Sequence, residues 1–293
     1  MLTARRVMRL FCFLAAVFLG AETAHSEPAL WVVKGPHATV YLFGSVHALQ
    51  KDKPWRSPKI DAAIQKSTSL WLELIDDDDM KAMQAIVMEL GIDAQHPLSS
   101  LLSKEQVAKL DKVATSAGIP GGEAGLEPMR PWMAAVALSA VPMMQAGFDP
   151  NSGVEKVLKP EFKAAGKQLH GFETMDKQMH MLADMPQKNQ LEFLKSSVDE
   201  YAEAVPKFKE LVDAWYAGDD KTLDRLVSNE LRDKYPELYK TLILKRNEGF
   251  AKQVNELLKG DGVSFVAVGA GHLVGSAGVP AMLEKMGFKV ERQ

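Results

Sequence analysis

Two apolar runs near opposite ends of the chain each stop at a glycine and present a histidine three positions later: Tyr41-Leu42-Phe43-Gly44-Ser45-Val46-His47 and Phe265-Val266-Ala267-Val268-Gly269-Ala270-Gly271-His272. Each run is short, continuous and rich in β-branched and aromatic residues, which predicts a strand buried on both faces. Glycine lets the backbone turn sharply or approach a ligand closely, and ligands of α/β sheets sit at strand ends. The pattern therefore predicts one sheet drawing strands from both ends of the sequence, with two imidazoles delivered to its edge.

The intervening sequence fits that sheet. Leu30 to Lys34 and Thr39 to Phe43 flank a Gly35-Pro36 turn and read as a hairpin. Ser57-Pro58 opens a helix with Ile60, Ala63 and Ile64 on one face, and Ser69 to Ile75 follows as a strand with Glu73 near its end. Strand, helix, strand is a βαβ unit, so these strands are expected to be parallel. From about residue 80 to 260 the periodicity is mostly helical, with one short strand, Gln168 to Phe172, ending at Glu173. The expected helices include 104–117, 131–145, 153–165, 175–184, 187–217, 220–229 and 238–258. Strand 263–269, helix 276–286 and strand 288–291 close the chain. The fold class is α/β (α+β): a mixed β-sheet formed from N- and C-terminal segments with a large inserted helical cap.

Residues 1–26 read as a secretory signal peptide: Arg5, Arg6 and Arg9 precede the apolar run Leu10–Leu19, and Ala24-His25-Ser26 supplies small residues at a cleavage site. The run is too short to span a bilayer, so no stable membrane anchor is expected after cleavage, and a periplasmic location is. Residues 27–293 are expected to form a single domain. The only cysteine, Cys12, lies within the leader, which removes disulfides, thiolate metal sites and cysteine nucleophiles from the mature chain. Removing Arg5, Arg6, Arg9 and Glu22 takes the formal charge from −3 to −5, and no basic block points to nucleic acid.

His47, Glu73 and His272 each fall at a predicted strand end. Two neutral imidazoles and a carboxylate match the ligand set of a catalytic Zn, Mn or Co site with an open position for water; without an ion the same groups suit general acid-base chemistry. Glu173 is a further strand-end carboxylate or a cap for the helix from Met175. Arg246 and Asn247 interrupt an apolar helical stretch, where the arginine suits an oxyanion or carboxylate clamp or a solvated helix face; Arg56 offers the same chemistry from the loop after His47. Glu155 either faces this cleft or starts its helix. The run Asp76–Asp79 lacks the spacing of an EF-hand loop and reads as a helix start. Met175 and Met179 are four apart, as are Met181 and Met185, but the two pairs fall on different helix faces, which favours packing over copper binding. Zincin, serine-hydrolase, P-loop and dinucleotide-binding motifs are absent from the sequence.

Taken in order, Leu42-Phe43-Gly44-Ser45-Val46-His47, the strand ending at Glu73, Met129-Arg130-Pro131-Trp132, Gly153-Val154-Glu155, Gly166-Lys167, Gly171-Phe172-Glu173-Thr174, Arg246-Asn247 and Val268 to Gly275 resemble the TraB/GumN family. That family is related to the TIKI membrane metalloproteases and, more distantly, to erythromycin-esterase and ChaN-like proteins. The resemblance implies a metal-dependent hydrolase fold whose two Gly-x-x-His motifs and glutamate carry over onto His47, His272 and Glu73, with Mn or Co as the ion in peptide-cleaving members. The expectation is an exported hydrolase, peptidase-like, acting on a peptide or small-molecule substrate, with Glu173 and Arg246 lining the cleft. The haem-binding ChaN-like relatives imply an alternative, a periplasmic protein that binds haem, metal or peptide without turnover.

Overall fold

A computed structural model describes residues 27–51 and 53–293; the expected leader, 1–26, lies outside the described residues. Six strands form one sheet: β1 (Leu30–Lys34), β2 (His37–Ser45), β3 (Ser69–Leu72), β4 (Gln168–Gly171), β5 (Asp261–Gly269) and β6 (Val290–Arg292), in the order β4-β3-β5-β2-β1-β6. β4, β3, β5 and β2 run parallel, and β1 and β6 continue the sheet antiparallel. Strands β2 and β3 flank the βαβ unit formed with α1 (Pro58–Lys66), but β5 is inserted between them. The last-but-one strand thus sits at the sheet's centre and carries its glycine edge to the heart of the molecule.

Register fixes how the two Gly-x-x-His segments meet. Gly44 pairs with Val268 and Ser45 with Gly269, so the motifs are staggered by one residue. Leu72 pairs with Ala267 on one side and Gly171 on the other, which sets Glu73 and the following turn of β4 level with this edge. The Glu173 N–H donates to the Glu73 carbonyl at 2.9 Å and extends the ladder past the strands. Four parallel strands consequently stop along one line.

The continuous apolar character of β2 and β5 has its cause in helices on both faces. Alternate residues separate: Phe43, Phe265 and Ala267 join Ile60, Phe162 and Trp215, whereas Leu42, Val266 and Val268 join Phe250, Val254 and Leu258. The first face is covered by α1, α5 (Val154–Ala164) and α8 (Tyr201–Ala217), the second by α12 (Lys245–Lys259) and α13 (Val279–Lys285). A third core, with Leu110, Ala135, Leu138 and Leu194, joins α3 (Lys104–Ser116), α4 (Pro131–Gln145) and α7 (Gln187–Asp199) away from the sheet. The remaining helices are α2 (Met80–Gly91), α6 (Met175–Ala183), α9 (Asp220–Leu223), α10 (Glu230–Lys234) and α11 (Pro236–Tyr239).

The expected helix 187–217 is two helices. Glu200 leaves helical geometry (φ −99°, ψ 5°), because Leu194 and Val198 of α7 belong to the third core while Val212 and Trp215 of α8 belong to the sheet's core. One straight helix cannot present both sets. The stretch expected as helix 238–258 contains a π turn, Lys240–Leu244, immediately before α12, a kind of interruption found often beside functional residues. The expected helix 276–286 shortens to α13, and the final strand shifts to Val290–Arg292. The acidic run divides its work: Asp79 caps α2 through the Ala82 N–H at 2.9 Å, Asp77 and Asp78 pair with Lys156 and Lys159, and Asp76 accepts the Met175 N–H. Met175 and Met185 are buried.

Candidate functional site

The strand ends bring His47, Glu73, Glu173, Arg246 and His272 into one cleft. Its floor is the backbone at Gly269, whose φ of −47° is open to any residue. What the position demands is space. A Cβ there would lie 3.2 Å from Glu73 Oε1, 3.5 Å from His47 Nε2 and 3.5 Å from His272 Cδ2, so the three candidate groups face one small volume above the glycine. The two glycines that close the apolar runs therefore serve close approach rather than left-handed turns.

His47 is placed by the loop after β2. The Val154 N–H donates to the Val46 carbonyl at 3.1 Å, and a Cβ on Gly153 would meet the His47 carbonyl at 2.3 Å. This contact sets the start of α5 beneath the imidazole, where Glu155 Oε1 lies 2.8 Å from His47 Nδ1. Ser45 Oγ donates to the same carboxylate. The strand end itself is pinned by Trp215, whose Nε1 donates to the Gly44 carbonyl at 2.7 Å within a cluster of Phe43 and Trp55. The His47 side chain is 66% open to solvent and its Nε2 faces the cleft. Desolvation opposes its charge, yet Glu155, by charge and hydrogen bond, with Glu73 farther off, raises the imidazole from 6.5 to about 9.

His272 is held differently. It is 5% exposed, and Asn247 Oδ1 lies 2.6 Å from its Nδ1. Asn247 Nδ2 donates to the Ala277 carbonyl, which fixes the amide's orientation and makes His272 Nδ1 the protonated nitrogen. Nε2 then accepts from Arg246 Nη1 at 3.1 Å. Burial lowers His272 to about 4, with Arg246 working the same way against the pull of Glu73. This imidazole is neutral at neutral pH.

Glu73 is 7% exposed and accepts the Gly269 N–H at 2.7 Å and the Arg246 guanidinium. Burial opposes its ionisation, but His272, Arg246, His47 and the Gly269 N–H together hold the carboxyl well below the usual carboxylate range. Glu173, also 7% exposed, accepts from Arg246 Nη2 at 2.8 Å and Nε at 3.1 Å. Its role is not that of a helix cap; Thr174 caps α6 by accepting the Lys177 N–H. Gln178 bridges the two carboxylates, donating to Glu173 at 3.0 Å and Glu73 at 3.3 Å. Arg246, from the first turn of α12, is the permanent cation of the cleft, and despite burial its carboxylate partners raise its pKa. Arg56, by contrast, pairs with Asp61 and Glu161 and takes no part.

The chain matches the model of the TraB/PrgY/gumN family over residues 29–292. It belongs to that family. Similar relatives are an uncharacterized protein of Treponema pallidum (strain Nichols), 23% identical over 277 residues that cover 89% of this chain and 82% of the relative, and YbaP of Escherichia coli (strain K12), also uncharacterized, 23% identical over 259 residues covering 88% and 93%. No solved structure gives a significant match. For this TraB/PrgY/gumN protein the family match spans all six strands, and with them every residue of the cleft.

The donor set fits a borderline divalent ion in kind. His47 and His272 each have Nδ1 held by an oxygen, from Glu155 and Asn247, the arrangement that aims Nε2 of a ligating histidine, and Glu73 adds the carboxylate. The volume that a Cβ on Gly269 would fill lies between them. Arg246, on His272 Nε2, is the competing cation, and among the described residues no three His, Cys, Asp or Glu side chains gather closely enough to hold an ion. No helix among the described residues is long and apolar enough to cross a membrane.

Proposed function

We propose that this cleft is the active site of an exported, periplasmic hydrolase that cleaves peptide bonds. The observation that carries the reading is the convergence of His47 Nε2, Glu73 Oε1 and the His272 ring on the space over Gly269, with a guanidinium beside them. Glu73, a weak base while so held, orients the attacking water and takes its proton only as the bond to the carbonyl carbon forms and acidifies it. Arg246 faces the oxygen of the carbonyl and stabilises the charge that develops there, the role best filled by fixed donors in a site shielded from water. His47, charged through Glu155 and open to the cleft, gives a proton to the leaving nitrogen. His272 and Asn247 set the position of Arg246, and Glu173 anchors the guanidinium from the other side. A divalent ion (Mn, Co or Zn) would have to displace Arg246 from Glu73 and His272; held by them and His47, it would polarise the carbonyl and acidify the water in place of the guanidinium.

Protein purified without an affinity tag is expected to cleave members of a peptide library, with His47→Ala and His272→Ala each reducing turnover about 10²-fold or more. Ion content measured on the same preparations is expected to be lower in both variants. Wild-type turnover and ion content in both variants would sink the reading. The saturation of Glu73, Glu173 and His272 by Arg246 favours a second reading, a cleft that binds peptide, haem or metal without turnover. Binding with no product after long incubation would select it.

A further inference from the structure

A cavity of about 380 Å³ opens directly onto the imidazoles of His47 and His272, within the range of small-ligand sites. Its walls are Met143 and Met144 of α4, Phe148, Phe208 and Leu211 of α8, and Ile243 of the π turn. Among the described residues, no Asp, Glu, Lys or Arg lines it. A second hollow is lined by Arg246 itself together with Glu173, Lys177, Glu237 and Lys245, so the two hollows that reach the site's residues differ sharply in charge. Phe148 and Phe208 meet edge to face at 4.8 Å and stiffen the apolar wall, whereas the two methionines can adjust to the shape of what enters.

We propose that this cavity is the specificity pocket of the enzyme and that it takes an uncharged apolar side chain flanking the scissile peptide bond. The inference rests on the hydrolytic reading for its chemistry and on the cavity for its selectivity. A lysine entering here would meet the charged His47 with no carboxylate in the lining to offset it, and an aspartate would meet a cation already paired with Glu155, whereas leucine, methionine or phenylalanine would exchange water for the Met143, Phe208 and Leu211 surfaces. The adaptable methionine wall suits a preference by polarity and size rather than for a single residue.

Two measurements on the full chain test it. Peptides identical except for the residue beside the cleaved bond are expected to give kcat/KM at least about tenfold higher for leucine, methionine or phenylalanine than for aspartate or lysine. Ala140→Trp, which narrows the same cavity from α4, is expected to lower phenylalanine toward alanine. Independently of turnover, the methyl carbon signals of Met143 and Met144 in protein labelled at methionine are expected to shift with N-acetyl-phenylalaninamide and to stay fixed with the α-amide of N-acetyl-aspartic acid, while Met88 and Met286, exposed like Met144 but outside the cavity, stay fixed with both. Methionine shifts without hydrolysis of any peptide would uphold the pocket and defeat the hydrolytic reading. Hydrolysis indifferent to the flanking residue, or unmoved Met143 and Met144 signals, would overturn the pocket.

Discussion

Arg246→Met is expected to unfold at markedly lower denaturant than the wild type, with a loss of about 3–5 kcal/mol, because Glu73 and Glu173 lose the cation they share. The two carboxylate side chains are 9% and 3% exposed, and Gln178 offers each a single weak amide donor in its place. Met keeps the stem's volume, so the loss reports the charge and its hydrogen bonds rather than a cavity. Replacing the acids at the same time, as Glu73→Gln/Glu173→Gln/Arg246→Met, is expected to restore part of the stability while turnover stays absent. Urea titrations followed by far-UV circular dichroism give both values, and a single variant as stable as the wild type would contradict the proposed division of charge.

Gly269→Ala is expected to do the opposite: to leave stability within about 1 kcal/mol of the wild type and to lower kcat/KM by about 10²-fold. The backbone angles suit alanine, and the tightest new contact, 3.2 Å to Glu73 Oε1, needs a shift of only a few tenths of an ångström. The methyl group nevertheless takes the space in which His47, Glu73 and His272 meet. Equal activity in this variant would place the reaction elsewhere. Parallel thermal unfolding and peptide-cleavage assays separate a filled site from a damaged fold.

The strands and their glycine-broken ends were legible because burial on both faces leaves an unbroken apolar run, and because glycine interrupts it where backbone and side chains crowd together. That both ends of the sequence share one sheet followed from the same runs. The insertion of β5 between β2 and β3, and the one-residue stagger of the two motifs, depend on pairing that no local pattern encodes. The supporting residues were harder. Asn247 stood out as a polar break in a helix without revealing that it orients His272, and Glu155 read equally well as a helix start. Gln178 carried no mark at all: its importance lies in two carboxylates, one far away in sequence, that β3 and β4 bring together. Arg56 carried the right chemistry in the wrong place, since its partners, Asp61 and Glu161, lie on α1 and α5. The break at Glu200 reflects two cores competing for one helical stretch, which periodicity within the stretch does not display.

The central claim is that His47 and His272, delivered by two strands from opposite ends of the chain, act on one reacting centre. A double-mutant cycle on kcat/KM with His47→Ala, His272→Ala and the combined variant measures this directly. Groups that work as a unit are strongly non-additive, so the combined variant is expected to be no slower than the worse single variant within about threefold. Losses that multiply in the combined variant, or single variants that turn over peptide at the wild-type rate, would show that the two histidines do not form one site.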